Sequence, residues 1–181
     1  MDPSHFSILN YNIRSFHKNG LVFESLLNSL NHPFKCLVIS ETWNNDTNLQ
    51  LCKINSYDGF HTFRPQNHVY TVSGGISIFC KNSYNSIKNE SLSICTENLE
   101  TCVVDIKFND HHINVIGIYR PPQGCKQNFI NELENIINNV KTKRPDVIIL
   151  AGDFNVNLNA LHDSNVLELS SKLYSASQPS S

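Results

Sequence analysis

Apolar residues recur along this chain at two different spacings, and these spacings predict its helices and strands. Two stretches repeat apolar residues every three or four positions, as one face of a helix does, and these are Leu21–Leu30 and Phe129–Val140. Shorter apolar runs bounded by turn-forming residues predict strands at Phe6–Ile13, Cys36–Ser40, Phe60–Arg64, Gly75–Cys80, Thr101–Phe108, Ile113–Tyr119 and Val147–Leu150. A further repeat at Val166–Leu173 predicts a third helix.

The clearest pair of neighbouring strands is Thr101–Phe108 and Ile113–Tyr119, which are joined by the polar break Asn109–His112. The second of these strands is apolar on both faces, which is typical of a strand buried in the middle of a layered fold. Strands and helices are interspersed along the chain, whereas hairpins dominate its middle. The pattern therefore predicts an α/β protein of two mixed sheets packed face to face, with the helices outside.

Length and charge narrow the classes of protein to consider. A chain of 181 residues is long enough for one domain with a sizeable core, so we expect a single domain over 1–181. Charged residues make up 17% of the chain and the formal net charge is −2, so no strongly basic face is required. A nucleic-acid partner would therefore have to be bound through a local patch and a metal ion.

Cysteine spacing and terminal composition predict the compartment. The six cysteines include no C-x-x-C pair, which argues against a zinc site and favours free thiols in a reducing environment. The N-terminus has no basic stretch followed by a long apolar stretch, and no apolar run approaches the ~18 residues of a membrane span. We expect a soluble, intracellular protein that does not associate with membranes.

Polar residues follow several of the predicted strands. Asn12, Glu41, Tyr119, Asp153 and Asn155 all lie at or beyond a strand end, and Arg120 follows Tyr119. Taken singly, each is more often a solvated strand end or a turn residue than part of a site. Gathered at one sheet edge, two carboxylates and two amides would bind a hard divalent cation, Mg²⁺ or Mn²⁺ rather than zinc. This prediction requires the Glu41 and Asp153 carboxylates to lie at the same edge.

The histidines add little to this picture. His61, like Arg14, His17 and His68, is expected to be a solvated surface residue. His162 and Asp163 resemble a catalytic dyad only superficially, because neighbours in a loop seldom face each other.

Taken in order, the polar strand ends resemble one family. The blocks "LNYNIRS", "SETW", "GGISIF", "GIYRPP" and "GDFN" are similar to motifs of the endonuclease/exonuclease/phosphatase superfamily. The likeness is greatest to the apurinic-like endonuclease domain of LINE-type (non-LTR) retrotransposons, and it extends over about Phe6 to Tyr174. The resemblance implies a deoxyribonuclease I-like fold, which is a four-layered α/β sandwich of two mixed sheets flanked by helices.

The resemblance also implies roles for five residues. Glu41 matches the metal-binding glutamate, and Asn12 matches the asparagine that supports the metal site. Asp153 matches the aspartate that orients or deprotonates the attacking water. Asn155 matches its partner on the phosphate or the nucleophile, and Tyr119 matches the tyrosine whose hydroxyl contacts the phosphate.

Two departures from the family pattern change the expectation. The closing Ser-Asp-His block does not occur after Asn155, so we expect a C-terminally incomplete domain that lacks its last strands. An open sheet edge predicts weak stability and aggregation. Arg14 stands where abasic-site repair relatives carry an acidic residue, which agrees better with a retrotransposon domain.

Three readings follow. The first is a Mg²⁺-dependent DNA endonuclease that nicks one strand to prime a reverse transcriptase encoded downstream. The second is a catalytically dead fragment or relic, because losing one preorganised group costs about 10²–10³ in rate. The third is a phosphatase of the same superfamily, against which the "SETW" and "GIYRPP" blocks argue. Slow or undetectable nicking by this chain is expected. Efficient nicking that Asp153→Ala abolishes would instead show that the missing block is replaced from within this chain, with His162 the first residue to test.

Overall fold

Two α-helices and eight strands follow one another in residues 5–64 and 73–156, which are the residues that the structure, a computed structural model, describes. The first half holds β1 (Ile8–Asn12), α1 (Phe16–Leu30), β2 (Cys36–Ser40), β3 (Tyr57–Thr62) and β4 (Ile76–Lys81), with one 3₁₀ turn at Leu49–Leu51. The second half holds β5 (Asn85–Lys88), β6 (Glu100–Phe108), β7 (His111–Tyr119), α2 (Lys126–Thr142) and β8 (Val147–Asp153).

The strands form two mixed sheets of four strands each. The order in the first sheet is β1-β2-β4-β3, and the order in the second is β5-β6-β7-β8. In each sheet one pair is parallel, β1 with β2 and β7 with β8, and the other neighbours are antiparallel. A parallel pair needs a crossover, which α1 supplies in the first sheet and α2 in the second.

Strand alternation divides the core into three layers of side chains. Cys36 and Val38 of β2 face Cys102 and Val104 of β6 between the two sheets. The intervening residues of β2, such as Leu37, pack under α1. On the second sheet, the opposite face packs against the apolar side of α2. The four layers are therefore helix, sheet, sheet and helix, as the motifs predicted.

The predicted elements agree with the structure apart from their limits. All seven predicted strands are present, and β5 is an additional short strand that its polar composition hid. Helix α1 begins at Phe16 rather than Leu21, because Ser15 caps it by accepting a hydrogen bond from the Lys18 amide. The predicted helix at 166–173 lies outside the described residues. No helix in the described ranges is long and apolar enough to cross a membrane.

His61 differs from its predicted surface position. It lies on β3, where its Nδ1 is 2.8 Å from Ser77 Oγ and its ring contacts the Phe79 ring edge-on at 5.5 Å. Burial, followed by the nearby Lys88, lowers the pKa of His61 to about 4. A lone histidine was expected to be solvated, but the pleat of β3 turns the His61 side chain toward Phe79.

Candidate active site

The carboxyl ends of the two parallel strand pairs meet at one edge of the sandwich. In the first sheet Asn12 is paired with Ser40, the residue before Glu41. In the second sheet Tyr119 is paired with Asp153. Because parallel strands end at the same side of a sheet, each pair delivers two polar side chains to its own edge. The two edges are adjacent, since Asn10 Nδ2 of β1 donates a hydrogen bond of 3.0 Å to the Gly152 carbonyl of β8.

The Asn12 amide joins the two carboxylates across the sheets. Its Nδ2 donates one hydrogen bond of 2.8 Å to Glu41 Oε1 and another of 2.8 Å to Asp153 Oδ2. A single NH₂ group has two N–H donors, so both are used in this bridge. Glu41 and Asp153 are therefore held side by side at one edge, although 112 residues separate them in the chain.

Backbone conformation supports the position of Glu41. Glu41 has φ 53°, and Trp43 two residues later has φ 55°, so the chain turns sharply directly after β2. The Glu41 carbonyl accepts a hydrogen bond of 2.8 Å from the Ser15 amide at the start of α1. Left-handed conformations cost about 1–2 kcal/mol in residues other than glycine, so this turn depends on its hydrogen bonds to neighbouring segments.

Asp153 is fixed from its own side by Asn155. The backbone amide of Asn155 donates a hydrogen bond of 3.0 Å to Asp153 Oδ1, which closes a short turn after β8. The Asn155 side chain points away from the two carboxylates, since its Nδ2 donates to the Arg120 carbonyl at 2.7 Å. Arg120 returns the contact by donating from one terminal nitrogen to the Asn155 carbonyl at 2.9 Å. Asn155 thus connects the ends of β7 and β8 and orients the aspartate.

Tyr119 lies beside the bridge and is only 5% exposed. Burial raises the pKa of its phenol to about 12, and the negative charges of Glu41 and Glu100 act in the same direction. The hydroxyl is therefore protonated at neutral pH and is available as a hydrogen-bond donor.

Two residues of this edge, Arg64 and Glu100, were not predicted from the sequence. Glu100 is fully buried at the start of β6, directly opposite Tyr119 in the register. Arg64 Nε donates to Glu100 Oε1 at 2.6 Å, and the Gly75 amide donates to Oε2. Burial raises the pKa of Glu100, and Arg64 opposes that shift. The sequence did contain a signal for Glu100, because Glu100 continues the alternation of Cys102 and Val104 on the face between the sheets.

The donor atoms at this edge suit a hard divalent cation. Glu41 and Asp153 supply carboxylate oxygens, and Asn12 Oδ1 is a buried carbonyl oxygen with no hydrogen-bond partner. Oxygen donors of this kind are those that Mg²⁺ and Mn²⁺ prefer. Within the described residues no three His, Cys, Asp or Glu side chains form a metal-binding group.

The structure also gives the positions of Arg14 and the cysteines, which were singled out in the sequence. Arg14 is exposed in the turn between β1 and α1, where it has φ 48°. All six cysteines are free, and four of them are buried. His68 and His162 lie outside the described residues.

Known proteins match this chain in structure but not in sequence. No protein-family profile and no curated protein sequence matches the chain. Solved structures do match. The endonuclease domain of TRAS1, a telomere-specific non-LTR retrotransposon, has a TM-score of 0.67 and 15% identity over 95% of this chain and 71% of that domain.

Two further structures have the same fold. The AP endonuclease LMAP from Leishmania major has a TM-score of 0.66 and 14% identity over 97% of this chain and 67% of that protein. The 3′ phosphatase NExo from Neisseria, bound to a product DNA hairpin, has a TM-score of 0.63 and 14% identity over 95% of this chain and 71% of that protein. This chain therefore has the fold of these endonuclease and phosphatase structures, which is the four-layered α/β sandwich that the order of its motifs predicted.

Proposed function

We propose that this chain is a divalent-metal-dependent phosphodiesterase that acts on DNA. The observation that carries the proposal is the Asn12 amide, which holds the Glu41 and Asp153 carboxylates side by side at 2.8 Å each. Two carboxylates kept together at a sheet edge repel each other unless a cation or a proton is shared between them. A divalent cation is the partner that also serves phosphodiester chemistry.

Glu41 would hold that cation, with Mg²⁺ as the natural ion and Mn²⁺ as a substitute. Asn12 supports Glu41 from one side through Nδ2, and its unpartnered Oδ1 is a further oxygen donor nearby. When bound, the cation polarises a phosphoryl oxygen and stabilises the charge that develops on the phosphate.

Asp153 would act on the attacking water. Each of its oxygens receives one hydrogen bond, from Asn12 and from the Asn155 amide, which fixes the carboxylate plane. Each oxygen keeps a second lone pair, so the carboxylate can accept the proton of a water molecule. Tyr119, protonated because its pKa is about 12, would donate a hydrogen bond to a phosphate oxygen.

The finer proposal is nicking of one DNA strand for retrotransposition. The motifs "SETW" and "GIYRPP" support it, as does the likeness to the TRAS1 endonuclease domain. In this role the nick leaves a 3′ hydroxyl, which a reverse transcriptase encoded downstream in the same element would extend.

Conversion of supercoiled plasmid to open circle tests the proposal. We expect nicking to be slow or undetectable and, where it is seen, to require Mg²⁺ or Mn²⁺ and to be abolished by EDTA. Asp153→Ala should lower the rate by about 10²–10⁴-fold, because it removes the group that accepts the proton from water. Asp58→Ala is the matched control, since Asp58 is an exposed carboxylate on β3, outside the candidate site.

Nicking that survives Asp153→Ala would contradict the assignment of the site. Absence of nicking together with absence of Mn²⁺ binding would favour the catalytically dead relic instead.

A second activity is favoured by one comparison. NExo is described as a 3′ phosphatase, so removal of a terminal phosphate is the alternative reaction for the same residues. A radiolabelled duplex with a 3′ phosphate at an internal gap distinguishes the two. Release of inorganic phosphate without nicking of intact plasmid would assign the phosphatase.

A further inference from the structure

A buried ion pair lies directly behind the candidate site. The Glu100 side chain is 0% exposed and the Arg64 side chain is 24% exposed, and their Nε–Oε1 distance is 2.6 Å. Arg64 is also fixed by a hydrogen bond of 3.1 Å from its terminal nitrogen to Ser73 Oγ. Placing a carboxylate in the core is costly unless its oxygens are satisfied, so the pair is expected to have a specific structural consequence.

The second oxygen of Glu100 connects this pair to the backbone. Glu100 Oε2 accepts the amide hydrogen of Gly75. Gly74 and Gly75 have φ +77° and +84°, which suit glycine. A Cβ on Gly74 would lie 2.5 Å from Glu100 Oε1 and 2.9 Å from the Arg64 guanidinium, so only a glycine backbone can approach the ion pair this closely.

The two glycines in turn hold the segment that follows Glu41. The Gly75 carbonyl accepts a hydrogen bond of 3.3 Å from the Thr42 amide, and the Gly74 carbonyl accepts one of 2.9 Å from the Trp43 amide. On the opposite side, Ser15 holds the Glu41 carbonyl. The strained turn at Glu41 is thus held between the start of α1 and a glycine segment that Glu100 anchors.

We propose that Glu100 and Arg64 are positioning residues, which set the place of the Glu41 carboxylate through Gly75 and Thr42. This inference rests on the proposed function, in which Glu41 holds the divalent cation. Among the described contacts, neither residue hydrogen-bonds Glu41, Asp153 or Asn12, so both would act through the backbone. A substitution of Glu100 or Arg64 leaves the Glu41 carboxylate itself unchanged. It removes contacts that fix the backbone turn carrying Glu41.

The sole tryptophan of the chain reports on this turn directly. Trp43 lies two residues after Glu41, and its amide is bound to Gly74. Its emission and its quenching by acrylamide can be measured without any metal or substrate. Mn²⁺ binding, followed by the loss of the free Mn²⁺ electron paramagnetic resonance signal, measures the site itself without requiring activity.

The experiment compares Glu100→Gln with Glu90→Gln in the full chain, below the unfolding temperature of each variant. Glu90 is a matched control, because it is 78% exposed and pairs only with Lys88 in the described structure. We expect Glu100→Gln to weaken Mn²⁺ binding by roughly 10–100-fold, the usual effect of removing a residue that supports a metal ligand. Trp43 should become more accessible to acrylamide, and Glu90→Gln should change neither measurement.

Arg64→Lys provides the second variant, in case Glu100→Gln does not fold. It keeps the positive charge but loses the planar guanidinium geometry, so we expect the same changes with smaller size. Unchanged Mn²⁺ affinity and unchanged Trp43 quenching in folded variants would overturn the proposal.

Glu41→Gln separates failure of this inference from failure of the proposed function. If the unmodified chain binds no Mn²⁺, or Glu41→Gln does not weaken binding, the metal site is wrong. In that case Trp43 quenching still decides whether Glu100 positions the turn.

Discussion

The two strand–helix–strand units, β1–α1–β2 and β7–α2–β8, share one parallel arrangement but differ in how their helices pack. Helix α2 buries six apolar side chains along one regular stripe, whereas α1 fully buries only Phe16 and Phe23. Leu21 and Val22 of α1 are 84% and 68% exposed. The second unit therefore has the better-packed helix layer.

The first unit, whose helix is less well packed, carries more backbone strain at its strand ends than the second unit does. Arg14, Ser15, Glu41 and Trp43 of the first unit all have positive φ, around the carboxylate that is proposed to hold the cation. At the corresponding ends of the second unit, Gly152 and Asn155 have positive φ. Strain concentrated at a site persists only where surrounding structure enforces it. The comparison teaches that the first unit depends on anchors from outside, whereas the second is stabilised by its own core.

The largest expected effect lies at Gly152, just before Asp153. A Cβ at this position would lie 1.8 Å from the Ile118 carbonyl oxygen, and φ is +150°. Gly152→Ala must therefore separate β7 from β8 and should cost about 3 kcal/mol or more in the free energy of unfolding. Urea denaturation followed by circular dichroism measures it. Gly20→Ala in α1 is the control and should stay within about 1 kcal/mol, because its Cβ meets only the Phe16 side chain. Equal losses at both glycines would contradict the comparison.

Truncating one leucine in each helix tests the difference in packing. Leu133 of α2 is 1% exposed, so Leu133→Ala should destabilise the fold by about 2–5 kcal/mol. Leu21→Ala in α1 should change stability by less than about 0.5 kcal/mol, because that side chain is already in water. The urea midpoints of the two variants give the answer, and a large loss at Leu21 would show that α1 packs more tightly than described.

Acid should destabilise the protein through His61 in the first sheet. Its pKa is lowered from 6.5 to about 4, so below pH 6.5 the unfolded chain takes up a proton that the folded chain does not. This contribution to stability is complete above pH 6.5 and is lost as the pH falls toward 4, by roughly 2–3 kcal/mol. Urea midpoints of the unmodified chain and of His61→Gln, measured from pH 7 to pH 4, isolate it. A variant with the same acid dependence as the unmodified chain would show that His61 is not responsible.

The smallest effect concerns the residues that follow the helices. Asn31 after α1 has φ 46° and Arg144 after α2 has φ 51°, but asparagine tolerates this conformation better than arginine does. Arg144→Gly should therefore stabilise the protein by about 1 kcal/mol, and Asn31→Gly by only a few tenths. Thermal unfolding midpoints of both variants measure the two gains in stability. A larger gain for Asn31→Gly than for Arg144→Gly would contradict the prediction.

The sequence by itself determined the layers and the identity of the polar strand ends. Alternating apolar residues in β6 and β7, and the helical repeat of α2, follow from local periodicity, which tertiary contacts did not override. Asn12, Glu41, Tyr119 and Asp153 could be selected because they interrupt or end apolar runs. Each of these residues can be picked out from its own strand alone. The order of their motifs along the chain resembles the endonuclease/exonuclease/phosphatase superfamily.

Only the tertiary structure decided how these residues meet. That the Asn12 amide bridges Glu41 to Asp153 depends on the packing of one sheet on the other, which no local pattern encodes. Glu100 and Arg64 were not predicted as a pair for the same reason, since 36 residues separate them in the chain and they meet only in the folded structure. The prediction for His61 was wrong because a lone histidine is more often solvated than buried, whereas burial here is set by which face of β3 meets Phe79. Periodicity specifies which face of an element is apolar, and packing specifies which polar atoms those faces bring together.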